Sequence, residues 1–322
     1  MRIEGAGSDI DLRGGGDRPA DGGGPRRGGR RLRTPPGGVR VNPSPPFRPD
    51  WLKVRAPSGQ RVEEVSGTLA RHGLRTVCRE ARCPNVGECW GAGTATVILL
   101  GGICTRGCAF CSVPAGVPAP PDPAEPDRVA NAAAELSWRH VVVTSVTRDD
   151  LRDGGAAHFA AVVRALRRKA PGATVEPLIP DFAGDADALR CVVDAAPDIL
   201  AHNVETVPRL YPVVRKGADY DRSLGLIRRA AAMRPSLPLK SGIMVGFGET
   251  EGEVMAVFRD LFVAGCRSLT VGQYLPPSKD HMPPAEYVTP ETFEVLADAA
   301  RGIGFPRVLS GPLVRSSYYR AG

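Results

Sequence analysis

Residues 96–111 read Thr96-Val97-Ile98-Leu99-Leu100-Gly101-Gly102-Ile103-Cys104-Thr105-Arg106-Gly107-Cys108-Ala109-Phe110-Cys111. A short apolar run meets two glycines and opens almost at once into three cysteines. The run Thr96–Leu100 lacks polar alternation and is too short for a helix, which predicts a strand buried on both faces. Similar runs recur at His140–Thr144, Thr174–Ile179, Asp198–His202, Leu239–Val245 and Ser268–Tyr274. Between them lie helix-like stretches near 125–137, 155–169, 184–195, 222–234 and 251–264. The last places Val254, Val257, Phe258, Leu261 and Phe262 on one stripe. A further helix over 290–302 follows Thr289-Pro290-Glu291, with proline at its first position. Upstream, Gly67 to Gly73 reads as a short helix. Strands alternating with helices make parallel α/β structure. No Gly-x-Gly-x-x-Gly follows the first strand, which weakens an open dinucleotide-binding sheet. The predicted fold is α/β, a partial (β/α)6 TIM-like barrel with its chemistry at the C-terminal strand ends.

Three thiolates within eight residues can wrap only one metal centre. A structural zinc site takes four ligands, whereas three cysteines on a [4Fe–4S] cube leave one iron open for a cofactor. Upstream, Cys78-Arg79-Glu80-Ala81-Arg82-Cys83-Pro84-Asn85-Val86-Gly87-Glu88-Cys89-Trp90 supplies three more thiols. Its Cys-x4-Cys-x5-Cys spacing is too irregular for a zinc ribbon, and its fourth ligand must come from elsewhere. Arg79 and Arg82 are expected to favour the deprotonated thiols. Cys191 and Cys266 have no neighbouring thiols and read as ordinary buried cysteines. Asp149 and Asp150 read as solvated or capping acids, and His202 as a satisfied core residue.

The formal charge is +7, and residues 1–50, with ten Arg and six Asp or Glu, carry +4 of it. The remainder is too weakly basic to predict a nucleic-acid face. No run approaches the ~18 apolar residues of a membrane span, so no membrane partner is expected. With no apolar leader at the N-terminus, the expected location is cytoplasmic, where clustered cysteines serve metals rather than disulfides. Residues 1–46 are rich in Gly, Arg and Pro and are expected to be disordered.

The Cys-x3-Cys-x2-Cys spacing, with Phe110 before the last cysteine, resembles the signature of the radical S-adenosylmethionine superfamily. Gly242-Ile243-Met244-Val245-Gly246-Phe247-Gly248-Glu249 resembles that superfamily's Gly-x-Ile-x-Gly-x-x-Glu, with Met244 for Ile. Together with the upstream cysteines and Arg315-Ser316-Ser317-Tyr318, the chain from Trp51 onward resembles the lipoyl synthase family. Supporting stretches are Thr144–Leu151, His202–Thr206 and Gly272–Leu275. The usual Tyr-x-Ala ending is altered here to Tyr318-Tyr319-Arg320-Ala321.

The resemblance implies two [4Fe–4S] clusters and S-adenosyl-L-methionine. Cys104, Cys108 and Cys111 would hold the catalytic cluster; Cys78, Cys83, Cys89 and Ser317 the auxiliary one, which donates sulfur. Phe110 and Gly246 belong to the cofactor motifs. Ser145, Asn203, Glu205 and Lys240 fall at expected C-terminal strand ends, where cofactor and substrate should lie. The implied reaction is insertion of two sulfur atoms at C6 and C8 of a protein-bound octanoyl-lysine. Implied partners are octanoylated lipoyl domains of 2-oxoacid dehydrogenase E2 subunits, the glycine cleavage H protein, a reductant such as ferredoxin or flavodoxin, and an iron–sulfur cluster carrier. The expected organisation is a tail over 1–46, an auxiliary-cluster extension over 47–93, a barrel over 94–305 and a C-terminal segment over 306–322. The serine pair and the auxiliary spacing argue against a biotin synthase-like or methylthiolating enzyme, and metal content separates a zinc- or cluster-stabilised RNA-binding protein that uses the Arg-rich tail.

Overall fold

Among the described residues, seven strands run parallel in chain order and an eighth, short one leads them in antiparallel. They are β1 (Arg75–Thr76), β2 (Thr94–Leu99), β3 (His140–Ser145), β4 (Thr174–Leu178), β5 (Leu200–Ala201), β6 (Leu239–Val245), β7 (Ser268–Gln273) and β8 (Arg307–Gly311). The computed structural model describes residues 47–54 and 58–318. The expected tail over 1–46 and the altered ending from Tyr319 onward lie outside the described residues.

The six apolar runs read from the sequence are β2 to β7, although only two residues of 198–202 make ladder contacts. Two strands were not anticipated. β1 is two residues long, and β8 is half-buried or exposed along its length, so neither carries an apolar run. The six predicted helices form at Glu125–Glu135, Ala156–Lys169, Ala186–Asp194, Tyr220–Met233, Glu251–Val263 and Pro290–Ile303. The expected short helix at 67–73 is instead Gln60–Arg71, which begins about two turns earlier.

Helix Glu251–Val263 starts where the sequence dictates: the Thr250 hydroxyl accepts from the Glu253 amide while the Glu253 carboxylate accepts from the Thr250 amide. Val254, Val257, Phe258 and Leu261 are buried along its stripe. Phe262 stands half out, packed on Phe305 and covered by the Arg267 guanidinium. Burying each such side chain stabilises the fold by about 1.5–3 kcal/mol.

Polar residues fill the floor of the sheet's concave face. Lys240 on β6 donates to the Glu176 carboxylate on β4 at 2.7 Å, reaching across β5, and His140 on β3 pairs with the other Glu176 oxygen at 2.9 Å. All three side chains are buried. A contact between strands two apart requires a curled sheet, as in a barrel. It also corrects the expectation for Lys240, which is the second residue of β6 and therefore lies at the end opposite the strands' C-termini. Burying a lone ammonium is costly, so it takes the nearest buried carboxylate.

β1 and β8 form the two edges of the sheet. The segments beyond them meet: the Asn85 amide donates to the Leu313 carbonyl at 2.7 Å, and the Tyr318 hydroxyl to Glu88 at 2.5 Å. The N-terminal extension and the C-terminal segment thus join sides that the ladder leaves apart.

Candidate active site and cluster pockets

Cys78 sits on the four-residue helix Val77–Glu80, whose first turn is capped by the Thr76 hydroxyl accepting from the Arg79 amide. Cys89 lies on helix Val86–Gly91, anchored by the fully buried Trp90. Cys83 lies between them, after Arg82 in a left-handed conformation (φ 47°) that turns the chain back. The three thiols line one small cavity together with Asn85, Thr94, Thr96, Arg315, Ser317 and Tyr318. Two motifs more than two hundred residues apart in sequence therefore face one space.

Arg79 and Arg82 do not serve these thiols. Arg79 lies over the Trp90 ring and Arg82 is exposed. The cation that favours thiolate at Cys83 is the half-buried Arg315, which also donates to the Val314 carbonyl at 2.8 Å. Burial nevertheless dominates and pushes all three thiols up, Cys89 to about 12. Metal binding there must displace protons.

The neighbouring serine faces elsewhere. A β-carbon placed on Gly242 would stand 3.2 Å from Ser316 Cβ and 3.0 Å from Asn203 Oδ1, so Ser316 projects onto the barrel strands. Ser317, not Ser316, lines the cavity with the cysteines.

The second cysteine group follows β2 in a loop held by backbone contacts. The Cys104 amide donates to Pro114, the Gly116 amide to Cys104, and the Ala109 amide to Val214, all at 2.9 Å. Cys104 Sγ accepts from the amides of Thr147 at 3.2 Å and Arg106 at 3.4 Å. Burial raises Cys111 and pushes Cys108 up to about 12, the nearby thiols and Glu205 adding to it. Phe110 packs half-buried against the core. The Ser112 hydroxyl donates to the Glu80 carbonyl at 2.9 Å, so the loop abuts the helix of Cys78 and the two cysteine sites are neighbours.

Ser145, Asn203, Glu205 and Gly246 lie at or just beyond the C-terminal ends of β3, β5 and β6. Asn203 Nδ2 donates to Glu205 at 3.0 Å, while Asn203 Oδ1 and the Ser145 hydroxyl are buried with no hydrogen-bond partner among the described residues. Such unpaired groups are costly unless a ligand meets them. Glu205 holds a left-handed φ of 66°, and burial raises its carboxyl. Left-handed non-glycine residues of this kind concentrate at functional sites. Gly246 (φ 103°) is packed so closely that a β-carbon would stand 2.2 Å from Gln273 Nε2, and Glu249 accepts from the amides of Gly246 and Phe247.

Two features of the mouth were not read from the sequence. Arg215 donates to Tyr211 and Ser223 at 3.0 Å each, and its charge acts on both Cys108 and Glu205. A single arginine in a polar stretch carries no pattern. His202 was expected to be satisfied, yet only Nδ1 is, through the Ile179 carbonyl at 2.8 Å; Nε2 has no partner among the described residues. Its pKa is lowered to about 4, chiefly by burial, so the ring is neutral. Asp149 and Asp150 are not free acids: they pair with Arg106 and Arg148.

The radical SAM superfamily profile matches residues 98–261. A lipoyl synthase of Methylococcus capsulatus is 55% identical over 296 residues, covering 91% of each chain. That of Rubrobacter xylanophilus is 52% identical, covering 84% of this chain and 85% of its own. The chain belongs to the lipoyl synthase family. Lipoyl synthases are sulfurtransferases, and membership brings S-adenosyl-L-methionine and [4Fe–4S] clusters as cofactors. Among solved structures, HydG, a maturase of the [FeFe]-hydrogenase, superposes with a TM-score of 0.55 at 15% identity, covering 67% of this chain and 50% of its own. Methylornithine synthase gives 0.52 at 15%, covering 77% and 81%. Those likenesses concern the fold alone.

The donor sets suit the family's clusters. Among the described residues no three His, Cys, Asp or Glu side chains converge tightly enough for a single metal ion. A cube takes each thiolate on a different iron, so its ligands stand further apart than those of one ion.

Proposed function

We propose that this lipoyl synthase inserts two sulfur atoms at C6 and C8 of an octanoyl-lysine on a carrier protein, with Cys78, Cys83, Cys89 and Ser317 holding the auxiliary cluster and Cys104, Cys108 and Cys111 the catalytic one. The observation that supports this ligand set is the cavity lined by three cysteines and one serine from opposite ends of the chain. When bound, S-adenosyl-L-methionine and the two clusters supply a carbon-centred radical and the sulfur, chemistry that no side-chain acid or base can perform on an unactivated C–H bond.

The chain's own residues do the rest. Asn203 Oδ1 and the Ser145 hydroxyl offer buried hydrogen-bonding groups toward the mouth. Neutral His202 offers an acceptor, and the Arg215 charge acts beside Cys108. Phe110 and Gly246 pack the cofactor motifs. A serine oxygen is a harder, weaker partner for iron than thiolate, which suits a cluster that must come apart.

The carriers we expect are octanoylated E2 lipoyl domains and the glycine cleavage H protein, with ferredoxin or flavodoxin as reductant and a cluster carrier, all in the cytoplasm. Among the described residues no helix is long and apolar enough to cross a membrane. We take 94–305 as the barrel, 47–93 and 306–322 as its cluster-holding extensions, and 1–46 as dispensable for turnover.

The deciding experiment is anaerobic reconstitution with an octanoyl-lysine peptide and S-adenosyl-L-methionine, followed by mass analysis. Two added sulfurs are expected, with two molecules of 5′-deoxyadenosine per product. A product carrying no sulfur, or a methylthio group, would refute the reading.

A further inference from the structure

The loop carrying Cys104, Cys108 and Cys111 has no helix or strand of its own beyond a single bridge from Cys104 to Ala115. Besides the backbone bonds of Thr105 and Ala109, what holds its middle is Arg106, whose side chain is only 10% exposed. Nε and Nη2 donate to the two Asp149 oxygens at 2.7 Å each. Nη1 and Nη2 donate to the two Asp181 oxygens at 3.0 and 2.9 Å. Asp149 follows β3 and Asp181 follows β4, so one guanidinium ties the loop to two strand ends.

Both carboxylates are themselves fixed. Asp181 is fully buried and also accepts from Arg222 at 3.2 Å and from the Ala183 amide at 3.1 Å. Asp149 meets the Thr105 hydroxyl at 3.1 Å, and the Thr105 amide donates to Thr147 at 3.0 Å. Two arginines balance two aspartates, so the network is neutral overall. The Arg106 stem packs on Gly217, where a β-carbon would stand 3.4 Å from Cδ. A planar fork bound bidentately on two edges fixes orientation as well as distance, which a lysine cannot do.

We propose that Arg106 is the positioning residue of the cluster loop: its clamp between Asp149 and Asp181 sets the three cysteines at the barrel mouth before any iron binds. This rests on the reading that those cysteines hold the catalytic cluster. Arg106 touches neither substrate nor cofactor in this role. It acts through the backbone that joins Cys104 to Cys108.

The test uses the full chain, stripped of iron and kept reduced. Hydrogen exchange is followed in peptides covering 104–116, with helix Glu251–Val263 and the 78–89 segment as internal references. R106Q should speed exchange in 104–116 at least tenfold and leave both references unchanged, while R106K should give a smaller increase. After reconstitution, R106Q should hold about four irons rather than about eight, because the auxiliary ligands are untouched.

Loop exchange in R106Q equal to the parent's overturns the proposal, whatever the iron content. If R106Q loses protection everywhere, D149N decides. Its carboxylate is partly exposed, so it should loosen the loop about threefold without global change, and no change there counts against the clamp. A loosened loop that still binds all eight irons shows that the clamp does not set the cysteines for iron and overturns the positioning role, whereas a parent that itself holds only about four irons counts against the two-cluster reading.

Discussion

Asn85 and Leu313 stand 228 residues apart in the chain and are joined by a 2.7 Å hydrogen bond from the Asn85 side-chain amide to the Leu313 carbonyl. With the Tyr318–Glu88 bond, it fastens the C-terminal segment over the cavity lined by Cys78, Cys83 and Cys89. Asn85→Ala removes a buried donor and should cost about 1 kcal/mol of global stability. Its larger effect should be local. Under chelator, irons of the auxiliary site should leave several-fold faster than in the parent, and irons of the Cys104 loop at the parent rate. Equal release from both sites would show that this contact does not secure the cavity.

The opposed placement of two adjacent serines gives a sharper test. Ser317→Ala should leave 5′-deoxyadenosine formation largely intact while thiolated product falls at least tenfold, since only the auxiliary site loses a ligand. Ser317→Cys should hold that cluster more tightly and slow sulfur delivery. Ser316→Ala, on the barrel side, should keep auxiliary iron at the parent level. Both products are quantified from one anaerobic reaction, and a reversed pattern between the two alanine variants would reassign the ligand.

Cys104→Ala, Cys108→Ala and Cys111→Ala should each abolish S-adenosylmethionine cleavage. About four irons per chain should remain, because the other three thiols are untouched. Cleavage at the parent rate in any of the three would remove that cysteine from the catalytic set.

The buried floor predicts a pH dependence. Burial alone would raise the Glu176 carboxyl, but Lys240 and His140 outweigh it and hold it below its ordinary 4.5. A depressed carboxylate pKa contributes stability that is present above the unfolded value and lost as pH falls through the folded one. Chemical denaturation should therefore show stability dropping below about pH 4.5 in the parent. Lys240→Met leaves Glu176 with one partner and should cost about 3–5 kcal/mol at neutral pH. Adding Glu176→Gln should restore much of that loss. Additive losses in the double variant would contradict the pairing.

The barrel was legible because its strands are continuous apolar runs and its helices carry stripes or caps, as at Thr250–Glu253. The two cysteine groups were legible because their spacing stands in the sequence itself. β8 was not, since a half-exposed edge strand such as Arg307–Gly311 needs no apolar pattern. Lys240 was misread because a strand's boundaries, not its composition, decide which end of the barrel a residue occupies. Arg106, Arg215 and His202 were missed for one reason: their roles depend on partners from other strand ends, and no local signal announces those.

The bond from Asn85 to Leu313 also bears on the order of assembly. While the chain is being made, Cys78, Cys83 and Cys89 emerge early, but the wall that Arg315 and Ser317 provide is more than two hundred residues away. Domains gain structure from the N-terminal side during synthesis, and distant pairings come late. The three early thiols therefore wait, open on one side, until the whole barrel has been translated and its far edge can swing across. A cluster seated there before that moment would be held by three ligands only. The auxiliary cavity can thus close only once the far edge of the barrel has been made, and the Cys104 loop, bonded to Val214 and His281, also takes contacts from well beyond β4.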